Sequence, residues 1–82
     1  MISITLYTTA GCHLCDLADN LLNEILNHHK LTINPIEIGD NDNLVRLYGT
    51  TIPVIKFDDN SELNWPFSQQ DIETKIGQLQ SS

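Results

Sequence analysis

The sequence predicts an α/β fold of order βαβαββα, in which helices flank a four-stranded mixed sheet. Three observations carry that prediction. A segment of period-two alternation opens the chain, Ile2-Ser3-Ile4-Thr5-Leu6-Tyr7-Thr8, as expected of a strand with one buried face. An apolar series at helical spacing follows it. Near the end, two short strand-like runs flank a turn and precede a capped helix.

The elements follow in order. After a turn at Ala10-Gly11, the apolar residues Leu14, Leu17, Ala18, Leu21, Leu22, Ile25 and Leu26 recur at i, i+3, i+4 and i+7, with Asp16, Asp19, Asn23 and Glu24 opposite them. That is an amphipathic helix. His28, His29 and Lys30 fall at its end, where the helix dipole favours cations. The two histidines therefore read as dipole-compensating surface residues rather than metal ligands. Thr32 to Ile38 forms a second strand, and Pro35 places it at or near a sheet edge. Asp40 or Asp42 caps a short helix carrying Leu44, Leu47 and Tyr48, which Gly49 ends. Val54 to Phe57 is a third strand, Asp58-Asp59-Asn60 a turn, and Ser61 to Asn64 a fourth strand. Ser68 with Asp71 makes a capping box for a last helix with Ile72, Ile76 and Leu79 inward. Gly77 weakens its final turns, and Gln80 to Ser82 is expected to fray. Trp65 and Phe67 either line a groove or pack as core aromatics between strand and helix. Strand–helix–strand at the start implies a right-handed parallel crossover, and the later hairpin adds an antiparallel pair.

Length and composition bound the function. Eighty-two residues form one domain, 1–82, and an apolar share of 40% is enough for a compact core. The net charge is −7 with only four Lys and Arg. That argues against nucleic acid and anionic membrane surfaces and favours neutral or basic partners. No apolar run reaches the roughly 18 residues of a membrane span. The N-terminus shows neither the basic nor the apolar region of a secretory signal, so a cytoplasmic monomer is expected.

The two cysteines lie together, as Cys12-His13-Leu14-Cys15. A bridge there closes a very short loop and adds little to folding, so the pair is better explained by its chemistry. Residues i and i+3 on a helical turn lie about 5–6 Å apart between Cβ atoms, close enough for a disulfide to open and close in place. Cys12, just before the helix, meets free N–H groups and the positive dipole end, which stabilise a thiolate. This makes Cys12 the attacking nucleophile and Cys15, one turn inside, the resolving thiol. His13 either adds positive charge when protonated or is simply an exposed polar residue of the motif. Asp16 and the acidic total push the other way, toward a reducing rather than an oxidising protein.

A second motif, Thr51-Ile52-Pro53, precedes the third strand. In such a sheet this loop lies opposite the cysteines. A cis Pro53 would turn the Ile52 backbone N–H and C=O outward, to pair with an extended substrate segment. The arrangement has the topology of the thioredoxin fold, in which C-x-x-C near a βαβ unit reads as a redox motif.

With Tyr7-Thr8-Thr9-Ala10-Gly11-Cys12-His13-Leu14-Cys15 and Tyr48-Gly49-Thr50-Thr51-Ile52-Pro53-Val54 in place, the chain resembles the glutaredoxin-like proteins, in particular their small divergent group. The resemblance implies disulfide reduction with Cys12 as nucleophile, Cys15 as partner and Pro53 in cis. It departs from standard glutaredoxins in three places. His13-Leu14 replaces Pro-Tyr, and Thr9 stands where a Lys holds a glutathione carboxylate. Asn64 to Ser68 replaces a Gly-Gly and acidic stretch. Thioredoxin's Trp before the first Cys and its Gly-Pro inner pair are missing too, since Gly11 precedes Cys12.

The expected function is thus reduction of protein disulfides or glutathione mixed disulfides. No metal or organic cofactor is bound, glutathione is a candidate co-substrate, and either glutathione or an unidentified reductase is the electron donor. Two further readings are metal or iron–sulfur binding through the same cysteines in a dimer, and a redox-inert interaction module. Cys12, Cys15 and His13 fall short of four ligands within one chain.

Overall fold

A computed structural model describes residues 2–81. The elements are β1 (Ile2–Thr8), α1 (His13–Leu26), β2 (Leu31–Glu37), α2 (Asp42–Tyr48), β3 (Val54–Lys56), β4 (Glu62–Asn64) and α3 (Gln69–Ser81). Their order is the predicted βαβαββα. The sheet runs β2-β1-β3-β4, with β1 and β2 parallel and the other two pairs antiparallel. Pro35 sits on β2, an edge strand, where its missing N–H faces no neighbour. The fold is the mixed four-stranded α/β arrangement of the thioredoxin class.

Alternation along β1 divides the two faces. Ile2, Ile4 and Leu6 join Ala18, Leu22 and Ile25 of α1, Ile55 of β3 and Ile72 and Ile76 of α3 in the main core. Tyr7 faces the other way, with Ile38 and Val54, against Leu44 and Tyr48 of α2. Phe67 is buried in the main core and Trp65 packs against it, with the two rings edge to face at 5.1 Å. Both aromatics are therefore packing residues. At the sheet's lower end the hairpin turns through Asn60 at φ 69°, a left-handed position that Asn tolerates.

Several element details differ from the sequence reading. The buried stripe of α1 is Cys15, Ala18, Leu22 and Ile25, while Leu14, Leu17 and Leu26 are exposed. The apolar series is broader than the face that packs, and one cysteine belongs to that face. Leu47 is also exposed, because α2 turns Leu44 and Tyr48, four apart, toward the sheet. Asn41 rather than Asp40 or Asp42 caps α2, its side chain accepting from the Leu44 N–H at 3.1 Å. Gly49 closes α2 in the right-handed conformation, φ −56°, with its N–H on the Val45 carbonyl. The capping box forms in both directions: Ser68 N–H donates to Asp71 at 2.9 Å, and Asp71 N–H donates to Ser68 Oγ at 3.0 Å. The helix it opens runs through Gly77 to Ser81, without the frayed end expected from Gln80. Ser82 lies outside the described residues.

His29 has a specific partner. Its Nε2 lies 3.0 Å from the Glu73 carboxylate, tying the end of α1 to α3.

The contrast between buried and exposed apolar positions predicts unequal costs. Ile55→Ala, at a fully buried position, should destabilise the chain by about 2–5 kcal/mol. Leu47→Ala, at a position 67% exposed, should stay within about 0.5 kcal/mol of wild type. Chemical denaturation of the two variants compares them directly.

Candidate functional site

The site is built where β1 runs into α1. Beyond Thr8 the chain makes a tight turn over Thr9-Ala10-Gly11-Cys12, closed by the Cys12 N–H on the Thr9 carbonyl at 3.3 Å. Gly11 takes φ 79°, the value the third position of a type II turn requires and the one that favours glycine. The turn delivers Cys12 as the N-cap of α1, with extended backbone at φ −82° and ψ 106°.

Cys12 and Cys15 are joined in a disulfide, with their Cα atoms 5.2 Å apart, inside the range that a disulfide spans without backbone movement. Cys12 Sγ also accepts the Cys15 N–H at 3.1 Å. It thereby fills the role that a Ser or Asp oxygen usually plays at a helix start. The two sulfurs are not equivalent. Cys12 is half-buried at the lip of the turn, whereas Cys15 is 3% exposed on the core stripe of α1. An incoming group can reach the first and not the second.

The other predicted site residues lie at the same end of the sheet. Tyr7 pairs with Val54 in the antiparallel β1–β3 register, so Thr51-Ile52-Pro53 emerges beside the end of β1. Pro53 is buried and its bond to Ile52 is cis. Thr51 is exposed and Ile52 half-buried. The Ile52 backbone differs from expectation: its N–H is not turned outward but donates to the Tyr48 carbonyl at 3.0 Å. The Thr51 N–H and Oγ1 bond to that same carbonyl at 2.9 and 3.2 Å. The turn that ends α2 consumes these donors. His13 is exposed as the first residue of α1.

Tyr48, Glu62 and Glu37, to which the sequence reading gave no role in the site, make the contacts around it. Tyr48 stacks on Tyr7, with ring centroids 4.2 Å apart and planes 15° apart. The Tyr48 hydroxyl donates to Glu62 at 2.6 Å. Glu37, the last residue of β2, accepts the Ala10 and Gly39 N–H groups at 2.8 Å each. The Thr9 hydroxyl and these two amides hold the Glu37 carboxyl below its ordinary range. The parallel register, which sets Glu37 beside Thr8, is the signal that could have exposed this contact. Among the described residues, no group of three or more His, Cys, Asp or Glu side chains is placed to hold a metal ion. No helix there is long and apolar enough to cross a membrane. A shallow depression of about 260 Å³ between β4 and α3, lined by Leu63, Thr74 and Gln78 among others, holds neither cysteine.

Known proteins fit this picture. The model of the glutaredoxin-like domain family (DUF836) matches residues 3–77. The solved X. campestris protein XcR50 is 30% identical, with 90% of this chain and 95% of that chain covered and a TM-score of 0.77. Protein Ne2328 from Nitrosomonas europaea is 25% identical, with 90% and 89% covered and a TM-score of 0.79. Thioredoxin O2 from Arabidopsis thaliana, in its oxidized state, shares the fold at 18% identity, with 96% and 75% covered and a TM-score of 0.70. No curated protein sequence matches the chain.

The Tyr48–Glu62 bond predicts a pH effect with a definite sign. The hydrogen bond to Glu62 comes first and burial second, and together they raise the Tyr48 phenol well above its usual value. A phenol pKa higher in the folded than in the unfolded chain means that Tyr48 contributes stability below about pH 10. That contribution disappears as pH climbs toward the raised native value. In a ring-carbon NMR titration, Tyr48 should therefore ionise later than a free tyrosine. Glu62→Gln should bring its titration back toward the ordinary range.

Proposed function

We propose that this chain, which belongs to the glutaredoxin-like domain family, is a dithiol oxidoreductase. It would reduce protein disulfides or glutathione mixed disulfides through Cys12 and Cys15. The observation that carries this reading is the asymmetry of the pair: an accessible Cys12 capping α1, and a buried Cys15 one turn inside it, their Cα atoms 5.2 Å apart.

In the dithiol form, the Cys15 N–H and the positive end of α1 favour the Cys12 thiolate. That thiolate attacks one sulfur of the substrate disulfide. A Cys12–substrate bond forms, the substrate S–S bond breaks, and the first substrate sulfur leaves as a thiolate that takes up a proton. Cys15 loses its proton and attacks Cys12 Sγ, and the second substrate thiol leaves. Two electrons and two protons have then passed from the dithiol to the substrate, and the intramolecular disulfide remains. Glutathione or a disulfide reductase would return the dithiol.

Thr51, Ile52 and Pro53 form the neighbouring wall at this end of the sheet. With the Ile52 N–H committed to Tyr48, the Ile52 carbonyl is the backbone group left for an extended substrate segment. His13, exposed beside Cys12, borders the approach. Asp16 in the first turn of α1 and the net charge of −7 oppose the thiolate and favour a reducing protein. A reducing compartment such as the cytoplasm suits that role.

An insulin or glutathione-mixed-disulfide reduction assay tests the reading. It is run once with glutathione and its reductase and once with thioredoxin reductase, so that it also identifies the donor. Cys12→Ser should abolish turnover. Cys15→Ser should halt at a mixed disulfide visible by mass spectrometry. No turnover by the wild type, and so no loss in Cys12→Ser, would point instead to a redox-inert module. The reduction potential should lie nearer the roughly −270 mV of reducing relatives than the roughly −120 mV of the most oxidising ones.

A further inference from the structure

We propose that Glu37 is a positioning residue for the redox turn: its carboxylate gathers Thr9, Ala10 and Gly39 and fixes the backbone that presents Cys12. The inference rests on the dithiol reading and concerns what keeps that dithiol in working geometry.

The turn has little of its own to hold it. Between Thr8 and α1 its one internal backbone bond is the 3.3 Å contact from the Cys12 N–H to the Thr9 carbonyl. Ala10 and Gly11 are exposed, and glycine gives the chain more freedom to leave its turn conformation. Order must come from outside, and it comes from the neighbouring strand. The Ile38 N–H donates to the Thr8 carbonyl at 2.9 Å, which extends the β1–β2 pairing to the start of the turn. Beyond that point the ladder ends, and the Glu37 side chain takes over. One oxygen accepts the Ala10 N–H, the other accepts the Gly39 N–H, and the Thr9 hydroxyl also bonds to the carboxyl. An ionised carboxylate, which only accepts, suits three converging donors, and such charge-assisted bonds are stronger than neutral ones.

Gly39 supplies an independent sign that the arrangement is fitted closely. A Cβ there would sit 3.0 Å from Glu37 Oε2 and 3.1 Å from Thr9 Oγ1. A side chain on this side of the latch would have to push the ends of Glu37 and Thr9 aside by a few tenths of an ångström.

The consequence for chemistry runs through Cys12. Its sulfur caps α1 only while the turn holds Cys12 in the extended conformation, facing the Cys15 N–H. If the latch opens, the thiolate loses that donor and its fixed approach to a disulfide. Releasing the turn should raise the Cys12 thiol pKa and slow exchange. Removing a nearby negative charge would by itself do the opposite and lower the pKa. The two roles thus differ in sign.

The experiment compares wild type, Glu37→Gln, Glu37→Ala and Gly39→Ala. Its readouts are the pH dependence of Cys12 alkylation by iodoacetamide in the reduced protein, amide hydrogen exchange at Ala10, and single-turnover reduction of a small aromatic disulfide. The latch predicts an alkylation midpoint that rises from wild type through Glu37→Gln to Glu37→Ala, by about half a pH unit or more at the end of the series. Ala10 should exchange about tenfold faster in Glu37→Ala, and reduction should slow. Gly39→Ala, which leaves the charge in place and crowds the latch, should shift all three readouts in the same direction. It decides the matter should Glu37→Ala fail to fold. A lowered midpoint in both Glu37 variants, or unchanged Ala10 exchange in Glu37→Ala and Gly39→Ala, overturns the proposal. If wild type reduces no disulfide, the dithiol reading falls, while alkylation and amide exchange still judge the latch.

Discussion

The hydrogen bond from the Cys15 N–H to Cys12 Sγ is the contact around which this end of the molecule is organised. It requires Cys12 to be the N-cap of α1 and Cys15 to be the third residue of the helix. The helix must then enter the protein with Cys15 on the face that carries Ala18, Leu22 and Ile25. Burial of that stripe fixes the rotation of α1 about its axis. The rotation in turn sets which sulfur meets solvent. The unequal exposure of the two cysteines is thus a packing result, decided by hydrophobic residues as far along as Ile25.

The sheet translates that local constraint into a site. Parallel pairing of β1 with β2 sets Thr8 beside Glu37, and antiparallel pairing of β1 with β3 sets Tyr7 beside Val54. One register brings a carboxylate to the turn before Cys12, and the other brings Thr51-Ile52-Pro53 to the same rim. A one-residue slip of either strand would turn its apolar residues to the wrong face. The main core therefore enforces the alignment of the site.

Most of the fold was legible in the sequence because its signals are local. Alternation in Ile2–Thr8, the i, i+3, i+4 series of α1 and the Ser68–Asp71 box each specify an element within a few residues. The cysteine pair was legible for the same reason: spacing and position at a strand-to-helix turn suffice to place the two sulfurs within reach of one another. What escaped depends on distant contacts or on choices between near-equivalent neighbours. Asp40, Asn41 and Asp42 are all competent caps, and only the backbone path selects Asn41. Leu14 and Leu17 fit the helical period as well as Ala18 does, so periodicity could not say that the stripe is centred on Cys15. Glu37 meets Ala10 across 27 positions, and Tyr48 meets Glu62 from a different element. Neither contact leaves a local pattern. The Ile52 N–H was misread because the turn after α2 competes for it, and that turn is visible only once Tyr48 is placed.

The two faces of the sheet contribute unequally to stability. α1 and α3 bury a continuous apolar layer against Ile4, Leu6 and Ile55 and are tied together by His29 and Glu73 at the end away from the cysteines. The opposite face carries only α2, with two turns of helix, a stacked pair of tyrosines and no fully buried helical residue. In a chain of 82 residues the buried area is small and one face must supply most of it. Segments with few buried contacts open at lower free energy than the core does. The segment formed by α2 and Thr51-Ile52-Pro53 can therefore move at lower cost than the α1 face, on which the geometry of Cys12 and Cys15 depends. For the oxidoreductase proposed above, a firmly held cysteine pair beside a more yielding wall would fix the chemistry while leaving partner shape open.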